Sequence, residues 1–133
     1  MSTTIIRLMT SETIIGDVVG KDAKQGTLFV ENPVNLETVV SEGNRYVLMR
    51  DMLKDSTETV MPINAINIMY HYRAAPQVEA YYRGCLPEFE RAKKTHLEMY
   101  DEKLKELVNQ TLEESTFEIQ EGQHLQPSSN TMN

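Results

Sequence analysis

A single cysteine, Cys85, is all the thiol this chain has, so an internal disulfide is excluded. A chain without disulfides suits a reducing compartment, and a cytoplasmic location is the expectation. Cys85 itself reads as a bland small side chain. No apolar run approaches the roughly 18 residues that a membrane span needs, so no membrane partner is expected. The opening Met1-Ser2-Thr3-Thr4-Ile5-Ile6-Arg7 has no basic region ahead of a long apolar stretch, so no signal peptide is expected. The three histidines, His71, His96 and His124, are too scattered for metal-ligand spacing, and Cys85 adds no second ligand to any of them. No metal or other cofactor is therefore expected. Gly16 and Gly20 lack the lysine and hydroxyl that follow in a phosphate-binding loop, and Gly-x-Ser-x-Gly is absent. Without a catalytic constellation, the chain reads as a non-enzymatic binding protein.

The chain has 133 residues, 40% of them hydrophobic, which fits one domain with an appendage. The formal net charge of −7 is unevenly spread. Residues 1–73 carry seven basic and nine acidic side chains, and the remaining −5 lies in residues 74–133. A near-neutral first part and an acidic second part argue against broad binding to phosphates. A local basic patch on an assembled oligomer stays compatible with this balance.

Residues 1–73 are rich in Ile, Val, Thr and Tyr and are broken by turn residues, the pattern of a small all-β domain. Strands are predicted over residues 4–9, 13–21, 27–30, 34–40, 46–53, 58–61 and 66–70. Gly16 and Gly20 permit a sharp bend or a close backbone approach in the second strand. Asn32-Pro33 interrupts the third, because proline has no N–H for a ladder, and a bulge or an edge position is expected there. Ser41-Glu42-Gly43-Asn44 has the composition of a hairpin turn. Ile66, Ile68 and Tyr70 are expected to share one face of the last strand.

From residue 74 the pattern becomes helical. A short helix is predicted over 77–85, with Val78, Tyr81, Tyr82 and Cys85 on one side. Pro87 is expected to start a second helix that ends near Glu113. Phe89, Ala92, His96, Met99, Tyr100, Leu104, Leu107 and Val108 recur along it at helical spacing. Glu90 with Lys94 and Asp101 with Lys105 are acid-before-base pairs four apart. Tyr70, Tyr72, Tyr81 and Tyr82 are expected to cluster where this arm packs on the sheet. Residues 115–133 are dominated by Gln, Ser, Asn and Thr and read as a disordered tail. The expected domains are thus a β-barrel over 1–73, a helical arm over 74–114 and the tail.

The order of elements over residues 4–70 resembles the Sm-like family, which includes the Sm, LSm and Hfq RNA-binding proteins. The segment from Ser11 to Asp22 is similar to the family's first motif, with Gly16 at the bend and Asp22 at the end. Leu28-Phe29-Val30-Glu31-Asn32 resembles its third strand. The segment from Val60 to Ile68 resembles the second motif. Small Sm-like proteins of cyanophages and ocean metagenomes are the nearest in pattern. They share the Asn-Pro, a proline-containing fifth segment and a tyrosine-bearing C-terminal helix. The resemblance implies a strongly bent five-stranded antiparallel barrel, SH3-like, followed by a C-terminal helical arm. It also implies a homo-oligomeric ring of roughly five to seven copies, in which one subunit's fourth strand pairs with the next subunit's fifth. Val60, Met61, Ile66, Ile68 and Met69 fall on that subunit interface. If the chain is phage-encoded, the host cytoplasm is its place of work.

The sequence departs from the RNA-binding members where they contact bases. Their aromatic or His residue and their asparagine fall here on Lys24 and Gly26. Their Arg-Gly or Lys-His falls on the Pro62-Ile63-Asn64 stretch. The usual uridine pocket is therefore not carried over. Lys24 remains as a phosphate contact and Asn64 as a base-edge partner. Two functions follow as expectations: a ring that binds single-stranded RNA in phage or host RNA metabolism, or a structural or adaptor ring that presents acidic C-terminal helices to a protein partner.

Overall fold

The computed structural model describes residues 3–122, with side chains described through Glu114. Six strands precede one long helix: β1 (Thr3–Leu8), β2 (Thr13–Asp22), β3 (Thr27–Ser41), β4 (Asn44–Asp51), β5 (Val60–Asn64), β6 (Ile68–Arg73) and α1 (Pro76–Gly122). All pairings are antiparallel. The sheet order is β4-β3-β2-β1-β6, and β5 also pairs with β3. The mainly β architecture with a C-terminal helix is as expected. Two details correct the expectation. There are six strands rather than five, and the sheet does not close, because β5 and β6 do not pair with each other. Ile66 also leaves its predicted strand. It sits in a 3₁₀ turn, Ala65–Asn67, between β5 and β6.

The sixth strand arises because β3 is long enough to hold two partners end to end on one edge. Its residues 27–31 take β5 and its residues 34–41 take β4, while β2 occupies the other edge. The change of partner falls at the expected interruption. Ile15 pairs with Val34 and Asp17 with Glu31, so β3 carries one residue more than β2 across this step. That residue is a bulge at Asn32-Pro33, and Asn32 adopts a positive φ of 51°. Its backbone groups are tied off by distant parts of the chain. Asn32 N–H donates to the Thr59 carbonyl at 2.7 Å, and the Pro33 carbonyl accepts Met52 N–H at 3.2 Å.

The bulge switches which face of the sheet β3 buries. Before it, Val30 joins Ile6, Ile14 and Ile63 in a core inside the bent sheet. After it, Val34 joins Ile5, Ile15, Ala74 and Tyr82 in a core between the sheet and α1. Consecutive residues Ile5-Ile6 and Ile14-Ile15 therefore bury on opposite faces, one in each core. Gly16 faces the bulge. A Cβ there would lie 2.5 Å from Val30 Cγ1 and 3.0 Å from the Glu31 carbonyl oxygen.

The chain divides into two units, Met1–Lys94 and Thr95–Asn133. The first holds the sheet and the opening turns of α1. Val78, Tyr82, Leu86 and Phe89 form the inner face of those turns, while Tyr81 is exposed. The two predicted helices are one, with Pro87 inside it. Proline removes one backbone bond, a loss of about 3 kcal/mol in a free helix. Packing of Leu86 and Phe89 on either side of Pro87 offsets it. In the second unit Lys105 turns to Glu102 rather than to Asp101, and Lys103 pairs with Glu106, each at 3.7 Å. α1 runs to Gly122, past the expected end of the arm; residues 123–133 of the expected tail lie outside the described residues.

Gly16→Ala is expected to destabilise the fold by about 2 kcal/mol through overpacking against Val30. Gly84→Ala, where a Cβ meets nothing within 4 Å on α1, is expected to stabilise by about 0.8 kcal/mol. Urea denaturation of the two variants checks both signs, and a neutral Gly16→Ala would refute the close approach.

Candidate functional site at the open seam of the sheet

Between β6 and the β2–β3 turn, a cavity of 660 Å³ opens. The β2–β3 turn forms one wall through Asp22, Ala23 and Gly26, and β6 forms the other through Met69, Tyr70 and His71. Leu28, Ala65 and Ile68 supply apolar lining between them. The turn is built by Asp22, whose Oδ1 accepts N–H bonds from Lys24 at 3.1 Å and Gln25 at 3.2 Å. The 3₁₀ turn is built by Asn64, whose Oδ1 accepts Ile66 N–H at 3.1 Å. Ala65 N–H donates to the Gly26 carbonyl at 2.7 Å and locks the two turns together. Tyr70 stacks on Tyr72 with ring centroids 6.1 Å apart, and each is about half exposed. The cleft thus offers an apolar lining, an exposed aromatic ring, Lys21, an imidazole and a carboxylate to a ligand.

The two base-contact candidates flank this cleft without lining it. Lys24 is exposed at the tip of the β2–β3 turn. Asn64 is exposed on the neighbouring turn, with its Oδ1 already used as a cap. The interface candidates divide. Met61 and Ile68 pack against the inner core and Val60 is half-buried, whereas Met69 is exposed and Ile66 is 78% exposed. The tyrosines do not form the expected single cluster. Tyr70 and Tyr72 stack on β6, Tyr82 is fully buried between α1 and the sheet, and Tyr81 is exposed. A second, more polar cavity of 560 Å³ is lined by Arg7, Thr13, Asn35 and Tyr72 among others.

The strongest polar constellation lies elsewhere in the first unit and seats the helix. Arg83 Nη1 and Nη2 grip the two oxygens of Asp17 at 2.7 and 2.6 Å. Arg83 Nη2 also donates to Thr3 Oγ1 at 3.0 Å, and that hydroxyl donates to Glu79 Oε2 at 2.6 Å. The Asp17 side chain is 3% exposed and that of Arg83 41%. The fork geometry of guanidinium on carboxylate raises the Arg83 pKa further above its usual value. Next to it Tyr82 donates its hydroxyl proton to the Asn32 carbonyl at 2.7 Å, so the bulge and the helix are joined directly. Burial, and then the Asp17 carboxylate, push the Tyr82 phenol well above its ordinary range. Burial likewise raises the Cys85 thiol, with Glu88 adding to it, which keeps that sulfur protonated. Asp17 was legible as an anomaly, a carboxylate inside the apolar run Ile14–Val19. No sequence signal named Arg83 as its partner.

No family model matches the chain, and no curated protein sequence matches it. Among solved structures the chain is similar to a heptameric archaeal Sm protein, with 16% identity over 56% of this chain and 87% of that one, at a TM-score of 0.35. It is also similar to the SmAP1 heptamer of P. aerophilum, with 16% identity over 56% of this chain and 80% of that one, again at a TM-score of 0.35.

Arg83→Met strands a buried carboxylate and is expected to cost about 2–3 kcal/mol, less than a fully buried pair because the guanidinium is partly solvated. Adding Asp17→Asn to that variant should recover part of the loss, which a double-mutant cycle in urea measures. Tyr82 gives a pH dependence of fixed sign. Its folded pKa is raised above the unfolded value of about 10. Its contribution is therefore whole below pH ~10 and is lost as pH rises beyond that. Above pH ~10 the stability measured in urea should fall less steeply with pH in Tyr82→Phe than in the parent.

Proposed function

We propose that this chain is a ring-forming binding protein that assembles through β5 and β6 and presents the seam cleft to single-stranded RNA. The observation that carries the reading is the pair of free edges. Among the described residues β6 ends the sheet on one side and β5 pairs with β3 alone, so each leaves a row of N–H and C=O groups without a strand there. Pairing β5 of one copy with β6 of the next satisfies both rows head to tail, and such contacts close when the rotation fits. Val60, Met61 and Met69 lie on these two strands, where methionine adapts to an imperfect fit. Ile66 on the adjoining turn adds exposed apolar surface.

The cleft supports the choice of ligand. Tyr70 offers a ring face to a nucleobase, which stacks on aromatic surfaces without regard to sequence. Lys21 lies beside it and Lys24 on the same turn, in reach of a phosphodiester path. Asn64 retains its amide N–H₂ for a base edge. A second reading rests on the acidic balance of residues 74–133 and on exposed Tyr100, Leu104, Leu107 and Val108 in the second unit, which suit a protein partner.

Fluorescence anisotropy with short oligo-U and oligo-A at two salt concentrations tests the RNA reading. Saturable binding that weakens with salt is expected, with Tyr70→Ala raising Kd roughly tenfold. Absence of binding at about 50 micromolar protein in low salt ends that reading and favours the protein partner. Light scattering tests the ring independently, and a monomer sinks it.

A further inference from the structure

β4 is the last strand on its side of the sheet, and its outer edge has no strand partner among the described residues. The β3–β4 ribbon also outruns its neighbour. β2 reaches only as far as Asn35, whereas β3 and β4 stay paired out to Ser41 and Asn44. Val40, Tyr46, Val47 and Leu48 are exposed on this ribbon. An apolar strand edge of this kind is a template for another strand.

The turn decides how that edge is dressed. Glu42 and Gly43 have φ of 52° and 80°, so the Ser41–Asn44 pair is closed by a two-residue turn of type I′. The turn's own hydrogen bond points Asn44 at β3, and alternation then points the backbone of Tyr46, Leu48 and Arg50 the same way. Arg45, Val47, Met49 and Asp51 are left with N–H and C=O directed outward. An antiparallel copy of β4 that sets Leu48 opposite its own counterpart uses those outward groups. In that register Arg45 meets Asp51 of the second copy, Tyr46 meets Arg50, and Val47 meets Met49, each contact occurring twice. Arg45 has no ion-pair partner among the described residues. Arg50 holds Glu37 only at 3.5 Å on the surface. A half-step slip would set Arg45 against Arg50 and put the outward groups out of phase, so the charges select the register.

We propose that β4 pairs with β4 of a second copy of this chain, antiparallel about a two-fold axis through Leu48, joining two copies in one continuous sheet. This contact uses β4, whereas the ring uses β5 and β6, so neither depends on the other.

The test uses the full chain with Cys85→Ser as background, carrying either Leu48→Cys or Tyr46→Cys, under mild oxidation. Leu48 meets itself at a non-hydrogen-bonded position, where Cβ atoms are close enough for a disulfide. Leu48→Cys should therefore cross-link into dimers several-fold faster than Tyr46→Cys, whose counterpart is Arg50. Equal rates, or no cross-linked dimer from Leu48→Cys, overturn the proposal. In light scattering Arg45→Asp should halve the mass of the parent, and Lys54→Asp in the following loop should leave it unchanged. An undiminished mass for Arg45→Asp removes the Arg45–Asp51 contact and with it the register.

Discussion

The extra residue in β3 is the constraint on which the other features depend. Without the bulge at Asn32-Pro33, β3 would keep one face toward one core along its whole length, by strict alternation. With it, Val30 and Val34 serve two different cores, and one strand carries β5 and β4 in succession. The left-handed backbone of Asn32 costs of order 1 kcal/mol, and it persists because its surroundings over-determine it. Thr59, Met52 and Tyr82 each bond to the backbone of this dipeptide, and Gly16 makes room for it.

The helix is held on the sheet by two kinds of force. Tyr82, Val78, Leu86 and Phe89 bury apolar surface, which supplies most of the stability. Asp17, Arg83, Thr3 and Glu79 add direction, because a guanidinium fork accepts a carboxylate in few orientations. An ion pair taken from water gains little net energy, but a helix docked one turn out of place would leave Asp17 buried without a counter-charge. The pair therefore fixes the register of α1 on the sheet more than it adds to overall stability.

Much of the fold was legible in the sequence and the site was less so. Local signals located the hairpin turn at Glu42-Gly43 and an interruption at Asn32-Pro33, a bulge or an edge, which the register shows to be a bulge. The sequence around Pro87 reads as two helices where there is one, since a proline signals the loss of one bond but not the packing that outweighs it. Ile66 looked like a strand residue from its spacing with Ile68, but Asn64 caps a 3₁₀ turn there and turns Ile66 outward. The seam cleft unites residues 21–28 with 65–71, a long-range match that periodicity does not encode. The Asp17–Arg83 contact spans 66 positions and was invisible for the same reason.

The hydrogen bond from the Tyr82 hydroxyl to the Asn32 carbonyl carries a thermodynamic consequence. It makes the seating of the helix and the geometry of the bulge two readings of one equilibrium. Any ligand that grips the opening turns of α1 more tightly in their docked state must also stiffen β3 at the point where β4 and β5 part company. By linkage the reverse holds with equal magnitude, so strain applied to that strand is felt as loosened helix docking.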